Sequence, residues 1–297
     1  TNDQIEDYKA QARFLRAYFY WMLIKQWGPV PLLPDEGLDI NLSYEELSTP
    51  RNTYDECVDY IVAEFEEAAI HLEQERSTAY LGMATKGAAL AARAKVLLYA
   101  ASPLYNGNHD LFELKDEAGN PLINQNYDER KWARAAAAAE EVINTGWYEL
   151  YTVPVSEETV LPPAEVRSRE FPYGCGGIDP YESYRQLFNG AIRDMKDNRE
   201  FIFYRQFNNA GATGGEDLID LVKHSYPHNS GWDGWNTNAV SLKQVDAYYM
   251  FDGRRNHQRG IYLPERTILI MKTVLLLQTM QIVFISLLIA LLRKNIR

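Results

Sequence analysis

The chain has 297 residues, which is enough to bury a sizeable core in one large domain or two smaller ones. Its formal charge of −11, with no dense local cluster of Lys and Arg, excludes nucleic acid as an expected partner. Its two cysteines, Cys57 and Cys175, form neither a disulfide framework nor a metal-spacing motif, and we expect Cys57 to be a buried free thiol on a helix face.

The aromatic residues are biased toward rings that carry a polar group. The chain has 20 Tyr and 6 Trp against 11 Phe. Such rings suit surfaces that contact half-polar ligands, sugars among them. The alternative is that they fill a helical core.

Residues 1–150 predict a scaffold of four amphipathic helices. The first runs from about Asn2 to Trp27 and ends at Gly28-Pro29, because this pair cannot continue a helix. Its apolar residues recur at helical spacing: Ile5, Tyr8, Ala12, Leu15, Phe19 and Met22. The second helix opens with Thr53-Tyr-Asp-Glu56, a capping-box pattern.

The third and fourth helices are both rich in alanine. One spans roughly Thr85 to Ala101, and the other begins near Asp128 and ends at Gly146. Small residues allow two helices to approach closely. The pattern therefore predicts stacked helix pairs of the tetratricopeptide kind, although the strict signature of that repeat is not present.

The character of the sequence changes at about Thr152. Glycine, proline and asparagine become frequent, and short helices are expected only around Tyr181–Asn189 and Ser241–Met250. Loops such as Asn208–Gly215 separate them, and loops of that length are usually functional or mobile. We expect any ligand site of this chain to lie in this half.

The two ends of the chain are unusual. Thr1 already lies in a helical pattern, with no signal peptide or lipid-bearing cysteine before it, so we expect a trimmed sequence or a fragment. From Val274 to Leu292 no residue is charged, and Arg293, Lys294 and Arg297 follow. This composition fits a membrane-spanning helix, which Gln278 and Gln281 weaken.

Several segments, taken in order, resemble the SusD/RagB family of outer-membrane nutrient-uptake proteins. They are Ala12–Tyr20 with Trp27–Leu32, Arg51–Tyr54, Thr85–Leu90 with Ala94–Gly107, Trp132–Ala136 with Gly146–Leu150, and Asn198–Phe203. The resemblance implies tetratricopeptide-like helix pairs that carry an irregular, loop-rich ligand half. It further implies a surface-exposed lipoprotein of the outer membrane of Bacteroidetes-type bacteria.

By the same resemblance, the chain captures oligosaccharide or polysaccharide, or alternatively peptide, for a SusC-like TonB-dependent transporter. The resemblance also implies that the chain is not an enzyme, and we expect no cofactor. We assign residues 1–150 to the helical scaffold and 151–263 to the ligand-binding part of one SusD-like domain. The hydrophobic tail, 264–297, departs from the family, and we interpret it as a frame-shifted or truncated end, with a true inner-membrane tail as the alternative.

The candidate ligand residues are aromatic rings and amides in the second half. Sugars are commonly bound by aromatic faces, with amide and charged groups bonding to the hydroxyls. Trp232 and Trp235 lie among glycines next to Asn236, and Tyr173, Tyr181, Tyr184 and Tyr226 are further candidates. By contrast, Trp21, Trp27 and Trp132 lie on helices or at their ends and are expected in the core.

Catalytic and metal sites are not expected. His224 and His228 are separated by Pro227, which breaks the helix that would place both on one face, so a solvated loop is predicted. Glu216, Asp217 and Asp220 could serve a glycosidase, so a carbohydrate-active enzyme is one alternative function. A structural adaptor built from paired helices is the other.

Overall fold

A computed structural model describes residues 2–39, 41–159, 177–187 and 197–204. Within these ranges the chain is mainly helical, which confirms the predicted fold class. The helices are α1 (Asn2–Trp27), α2 (Tyr44–Leu47), α3 (Tyr54–His71), α4 (Lys86–Ala101), α5 (Arg130–Asn144) and α6 (Pro180–Gln186). Two short strands, β1 (Val153–Pro154) and β2 (Ile178–Asp179), pair antiparallel with Val153 opposite Asp179.

The chain divides into two compact units, and along the sequence the division falls between Tyr148 and Glu149. The first contains α1 to α5, and the second contains β1, β2 and α6. The assignment of the ligand-binding role to 151–263 stays a prediction. No helix of the described ranges is long and apolar enough to cross a membrane, and the apolar run at 274–292 lies outside those ranges.

The first unit is a series of packed helix pairs. Helix α1 packs on α3, α3 packs on α4, and α4 packs on α5. Alanines make up much of the buried surface of α4 and α5, including Ala89, Ala91 and Ala94 on α4 and Ala135, Ala138 and Ala139 on α5. Their small side chains explain why two helices of such low bulk form a stable pair.

The buried face of α1 differs from the apolar stripe that defined the helix in the sequence. Phe14, Trp21 and Ile24 are buried, together with Ala10 and Ala17. The residues of the sequence stripe lie outside this face, and five of its six members are exposed: Ile5, Tyr8, Ala12, Leu15 and Phe19. Trp27 (68 % exposed) and Trp132 (40 %) also lie at the surface, so of the three tryptophans that were expected in the core only Trp21 is a core residue.

The helix ends follow the chemistry that the sequence predicts. Thr53 and Glu56 form a capping box at the start of α3, in which Glu56 N donates to Thr53 Oγ1 (3.2 Å) and Thr53 N donates to Glu56 Oε2 (2.7 Å). Gly28 ends α1 at φ = 69°, a left-handed conformation that costs other residues energy. A second capping box, Ser43 with Glu46, starts the short helix α2, which the sequence analysis missed.

Residues from separate family-like segments meet in the core. The rings of Tyr54 and Tyr105 stack with centroids 3.9 Å apart. Asn106 Nδ2 donates to the carbonyl of Asp128 (3.0 Å), and its Oδ1 accepts from Asp128 N (2.7 Å), so Asn106 holds the chain that enters α5. Cys57 is a buried free thiol, as expected, and its Sγ donates to the carbonyl of Val30 (3.3 Å).

Candidate functional site

Two of the seven predicted ligand residues lie within the described residues. Trp232, Trp235, Asn236, Tyr173 and Tyr226 lie outside the described residues, as do the acidic residues at 216–220 and the two histidines of the predicted loop. Tyr181 and Tyr184 are described, and both lie on α6. The expected helix at 181–189 is therefore present as Pro180–Gln186.

Helix α6 presents its two tyrosines at successive turns. Tyr181 is 47 % exposed and Tyr184 is half-buried. Residues three apart on a helix are neighbours on its surface, so the two rings leave the helix on the same side. Such a pair, one ring open to solvent, provides an aromatic surface of the kind that a pyranose ring can cover.

The start of α6 is held by a network around Asp179. Its Oδ1 accepts from Glu182 N (2.9 Å), its Oδ2 accepts from Thr159 Oγ1 (2.6 Å), and Pro180 fills the first helical position. Burial alone would raise the pKa of Asp179, but these hydrogen bonds outweigh it and lower the pKa below its ordinary value. Asp179 therefore stays ionised at neutral pH and fixes the turn that carries Tyr181.

Two further contacts tie α6 to the chain before it. Ser183 Oγ accepts from Val153 N (2.8 Å), and Tyr151 Oη donates to Gln186 Oε1 (2.8 Å). These bonds anchor the middle of the helix to β1 and its last residue to the chain just before β1. The aromatic pair on α6 consequently lies on a rigid element of the second unit.

The family-like segment at 198–203 has a structural role in this unit. Glu200 Oε2 accepts from Tyr151 N (2.9 Å), and Glu149 N donates to the carbonyl of Arg199 (3.3 Å). Burial raises the pKa of Glu200 above the ordinary value of a glutamate. The segment therefore accepts hydrogen bonds from the backbone N–H groups just before β1. Its rings, Phe201 and Phe203, are not exposed.

A charged groove on the first unit was not expected from the sequence. Its rim carries three ion pairs: Lys131 with Asp55 (2.6 Å), Arg134 with Asp59 (2.8 Å) and Arg130 with Asp128 (2.8 Å). Its floor is apolar and consists of Val58, Leu97 and Ala100. The groove has a volume of about 440 Å³, which lies within the usual range for small-molecule sites. We call it the α3–α5 groove.

The sequence contains a signal for this groove. Asp55 and Asp59 are four residues apart on α3, and Lys131 and Arg134 are three apart on α5, so each pair lies on one helix face. The cross-helix pairing could not be read from the sequence, since it depends on the packing of both helices against α4.

Two further clusters of ion pairs in the scaffold centre on buried groups and serve packing. Glu64, 7 % exposed, accepts from Arg13 (2.9 Å) and from Arg16 (2.6 Å). Arg76 is buried and donates to both carboxylate oxygens of Asp7, at 2.7 and 2.9 Å. These groups already bond to one another, so they connect α1 to the following elements and offer little to a ligand.

One family model matches the first part of the scaffold. Residues 1–98 match the model of a SusD-like family described as starch-binding and associating with the outer membrane. No curated protein matches the chain.

Solved structures resemble the chain over most of its length. The protein named BT4246 superposes with a TM-score of 0.62 at 23 % identity, covering 89 % of this chain and 45 % of that protein. A SusD-like protein (BF3747) from Bacteroides fragilis gives 0.53 at 22 %, covering 86 % and 38 % respectively. A SusD-like carbohydrate-binding protein (BF0978) from the same organism gives 0.51 at 18 %, covering 86 % and 36 %. The chain thus has the SusD-like fold and spans less than half the length of these proteins.

Proposed function

We propose that the chain binds a glycan at the bacterial surface, because residues 1–98 match the model of a SusD-like family and the chain has the SusD-like fold. The family description, starch-binding and associating with the outer membrane, is the observation that carries this proposal. The carbohydrate-binding protein from Bacteroides fragilis, which shares the fold, is consistent with it. In the full-length protein, we infer a lipid-anchored module that delivers glycan to a SusC-like TonB-dependent transporter.

The proposed ligand site lies in the second half of the chain. Trp232, Trp235 and Asn236 supply stacking rings and an amide, and Tyr173 and Tyr226 supply further rings. The rigid placement of Tyr181 and Tyr184 on α6 supports this assignment, since pre-organised aromatic groups lose little entropy on binding. The ligand is starch, another glycan or, alternatively, peptide.

The proposal includes binding without turnover. The acidic residues 216–220 are the motivation for a glycosidase, and the expected result is that purified protein releases no reducing ends from a polysaccharide that it binds. Release of reducing ends that disappears in the Asp217→Asn/Asp220→Asn variant would instead establish an enzyme.

Calorimetric titration of the full chain with a panel of soluble polysaccharides tests the binding role. Wild-type protein is compared with the Trp232→Ala/Trp235→Ala variant. Loss of stacking typically costs about 0.5–1.5 kcal/mol per aromatic contact beyond the buried area, so we expect affinity to fall at least about tenfold. The matched control is Trp27→Ala/Trp132→Ala, which removes two exposed tryptophans of the first unit.

Each result of this titration has a distinct meaning. A fall in affinity for the Trp232/Trp235 variant alone supports both the role and the site. Binding that survives this variant keeps the role and moves the site toward Tyr181 and Tyr184. Failure of folded wild-type protein to bind any glycan contradicts the proposed role.

A further inference from the structure

The α3–α5 groove has hydrogen-bonding capacity that its own ion pairs do not use. Asp55 and Asp59 each contribute one carboxylate oxygen to the cross-helix pairs, Asp55 Oδ1 to Lys131 Nζ and Asp59 Oδ1 to Arg134 Nη2. Within the described residues, the second oxygen of each carboxylate and the Nε and Nη1 groups of Arg134 make no hydrogen bond. The rim thus offers acceptors and donors side by side.

This arrangement matches the chemistry of adjacent hydroxyl groups. A hydroxyl both donates and accepts, so each one of a vicinal pair can donate to an aspartate oxygen and accept from a guanidinium N–H. The apolar floor of Val58, Leu97 and Ala100 can contact the C–H face of a sugar ring. The volume of about 440 Å³ accommodates a small saccharide.

The balance of charge favours a neutral ligand over an anionic one. Three carboxylates and three cations line the groove, and every cation is already paired with a carboxylate. The pKa of Asp128 is lowered to about 2 by its hydrogen bonds with Arg130, so this carboxylate stays ionised. A uronate or phosphate would meet these carboxylates, in a chain of formal charge −11.

We propose that the α3–α5 groove is a second saccharide site, specific for a neutral sugar with vicinal hydroxyls, separate from the Trp232/Trp235 region. The proposal takes only its ligand class from the proposed function. Asp59 and Arg134 are the recognition pair, because their side chains are 61 % and 49 % exposed and keep unused donors and acceptors. Lys131, 12 % exposed, holds Asp55 through their ion pair.

NMR of the full chain, labelled at the arginine side chains, tests the site directly. The neutral probes are maltoheptaose, xylohexaose and mannohexaose, and the anionic probe is trigalacturonate. We expect the Nε–Hε signal of Arg134 to shift with at least one neutral probe and to stay in place with trigalacturonate. Asp59→Asn should weaken that neutral probe's binding to the groove at least about tenfold, because a charged acceptor is replaced by a weaker neutral one.

Control variants separate this site from the proposed one. Asp59→Asn removes an exposed ion pair of a kind that contributes little to stability, so the fold is expected to persist and is checked by circular dichroism. Arg185, which pairs with Glu182 on α6 at similar exposure, is the control arginine, and Arg185→Lys should leave the groove signal unchanged. In Trp232→Ala/Trp235→Ala the shift of Arg134 should persist even where the affinity measured by calorimetry falls.

The opposite results overturn the proposal. They are an Arg134 signal that no neutral probe moves, a shift with trigalacturonate alone, or a shift that Asp59→Asn leaves at full strength. Loss of the Arg134 shift in the Trp232/Trp235 variant also overturns it, because one shared site would then explain both signals.

Discussion

Gly87 shows how a single residue holds two segments of the scaffold together. It lies in the first turn of α4, where a Cβ atom would come within 1.8 Å of Tyr148 Oη and 2.6 Å of its Cζ. The Tyr148 hydroxyl bonds to the side chain of Thr85, the residue that caps α4, and burial raises its pKa. The absence of a side chain at Gly87 therefore lets the chain after α5 pack against the start of α4.

We predict that Gly87→Ala destabilises the protein, although alanine is the better helix former by about 1 kcal/mol. The new methyl group displaces Tyr148 and breaks its bond to Thr85, which should cost about 1–3 kcal/mol in the free energy of unfolding. Urea denaturation measures the change. Gly82→Ala is the control, since nothing lies within 4 Å of its Cβ position; equal stability of the two variants would contradict the contact.

Lys95 gives a pH-dependent prediction at the residue scale. Burial, with a smaller contribution from the charge of Lys25, lowers the pKa of Lys95 to about 8 from an ordinary value of 10.5. Both amines lie near the ring of Trp21, with Lys95 Nζ 5.3 Å and Lys25 Nζ 4.0 Å from its centroid. The ammonium form of Lys95 is thus disfavoured in the folded protein.

Between about pH 8 and the ordinary lysine value of 10.5, the unfolded chain binds more protons at this position than the folded one. The free energy of unfolding therefore rises with pH across that window and is not increased by this group below it. We predict that the stability of wild type relative to Lys95→Met rises from pH 8 upward in urea titrations, because the buried ammonium group loses its proton over this range. A difference in the free energy of unfolding that stays constant with pH would contradict this prediction. Lys9→Met, at an exposed position of α1, is the control for the lost charge.

At the scale of the element, α1 shows that only some of the apolar residues of a helix are buried in the core. Phe14 is 1 % exposed and packs against the ring of Phe65 at 5.4 Å, whereas Phe19, one turn further along, is 60 % exposed. We predict that Phe14→Ala lowers the free energy of unfolding by about 3–5 kcal/mol.

Phe19→Ala is the matched variant on the same helix. It should change the stability by only about 0.5 kcal/mol, because a surface substitution creates no cavity. Chemical denaturation followed by far-ultraviolet circular dichroism compares the two. A large loss for Phe19→Ala would show that this face of α1 is covered in the folded protein.

The same helix shows what the sequence could and could not predict. Spacing, caps and stop residues placed α1, α3, α4 and α5 to within about two residues, because these signals are local in the chain. The buried face of α1 was misassigned because apolar residues lie on more than one of its sides, and periodicity does not select between them. The α3–α5 groove was missed because its residues come from separate helices and resemble an ordinary charged surface.

At the scale of the whole molecule, the negative charge of the protein favours a neutral glycan over nucleic acid or an anionic sugar. The chain carries −11 in formal charge, and a neutral glycan releases no counterions when it binds to such a protein. Binding through stacking and hydrogen bonds to uncharged hydroxyls is consequently almost independent of ionic strength.

We therefore predict that the dissociation constant for a bound polysaccharide changes less than about twofold when salt is raised from about 50 mM to about 500 mM, a range over which the screening length falls severalfold. Calorimetric titration of the full chain at both salt concentrations measures this. Polygalacturonate is the anionic control, and we expect the negative charge of the protein to oppose its binding most strongly at low salt. A marked loss of polysaccharide affinity at high salt would indicate that the ligand is recognised through its own charge, and would exclude a neutral glycan as the natural ligand.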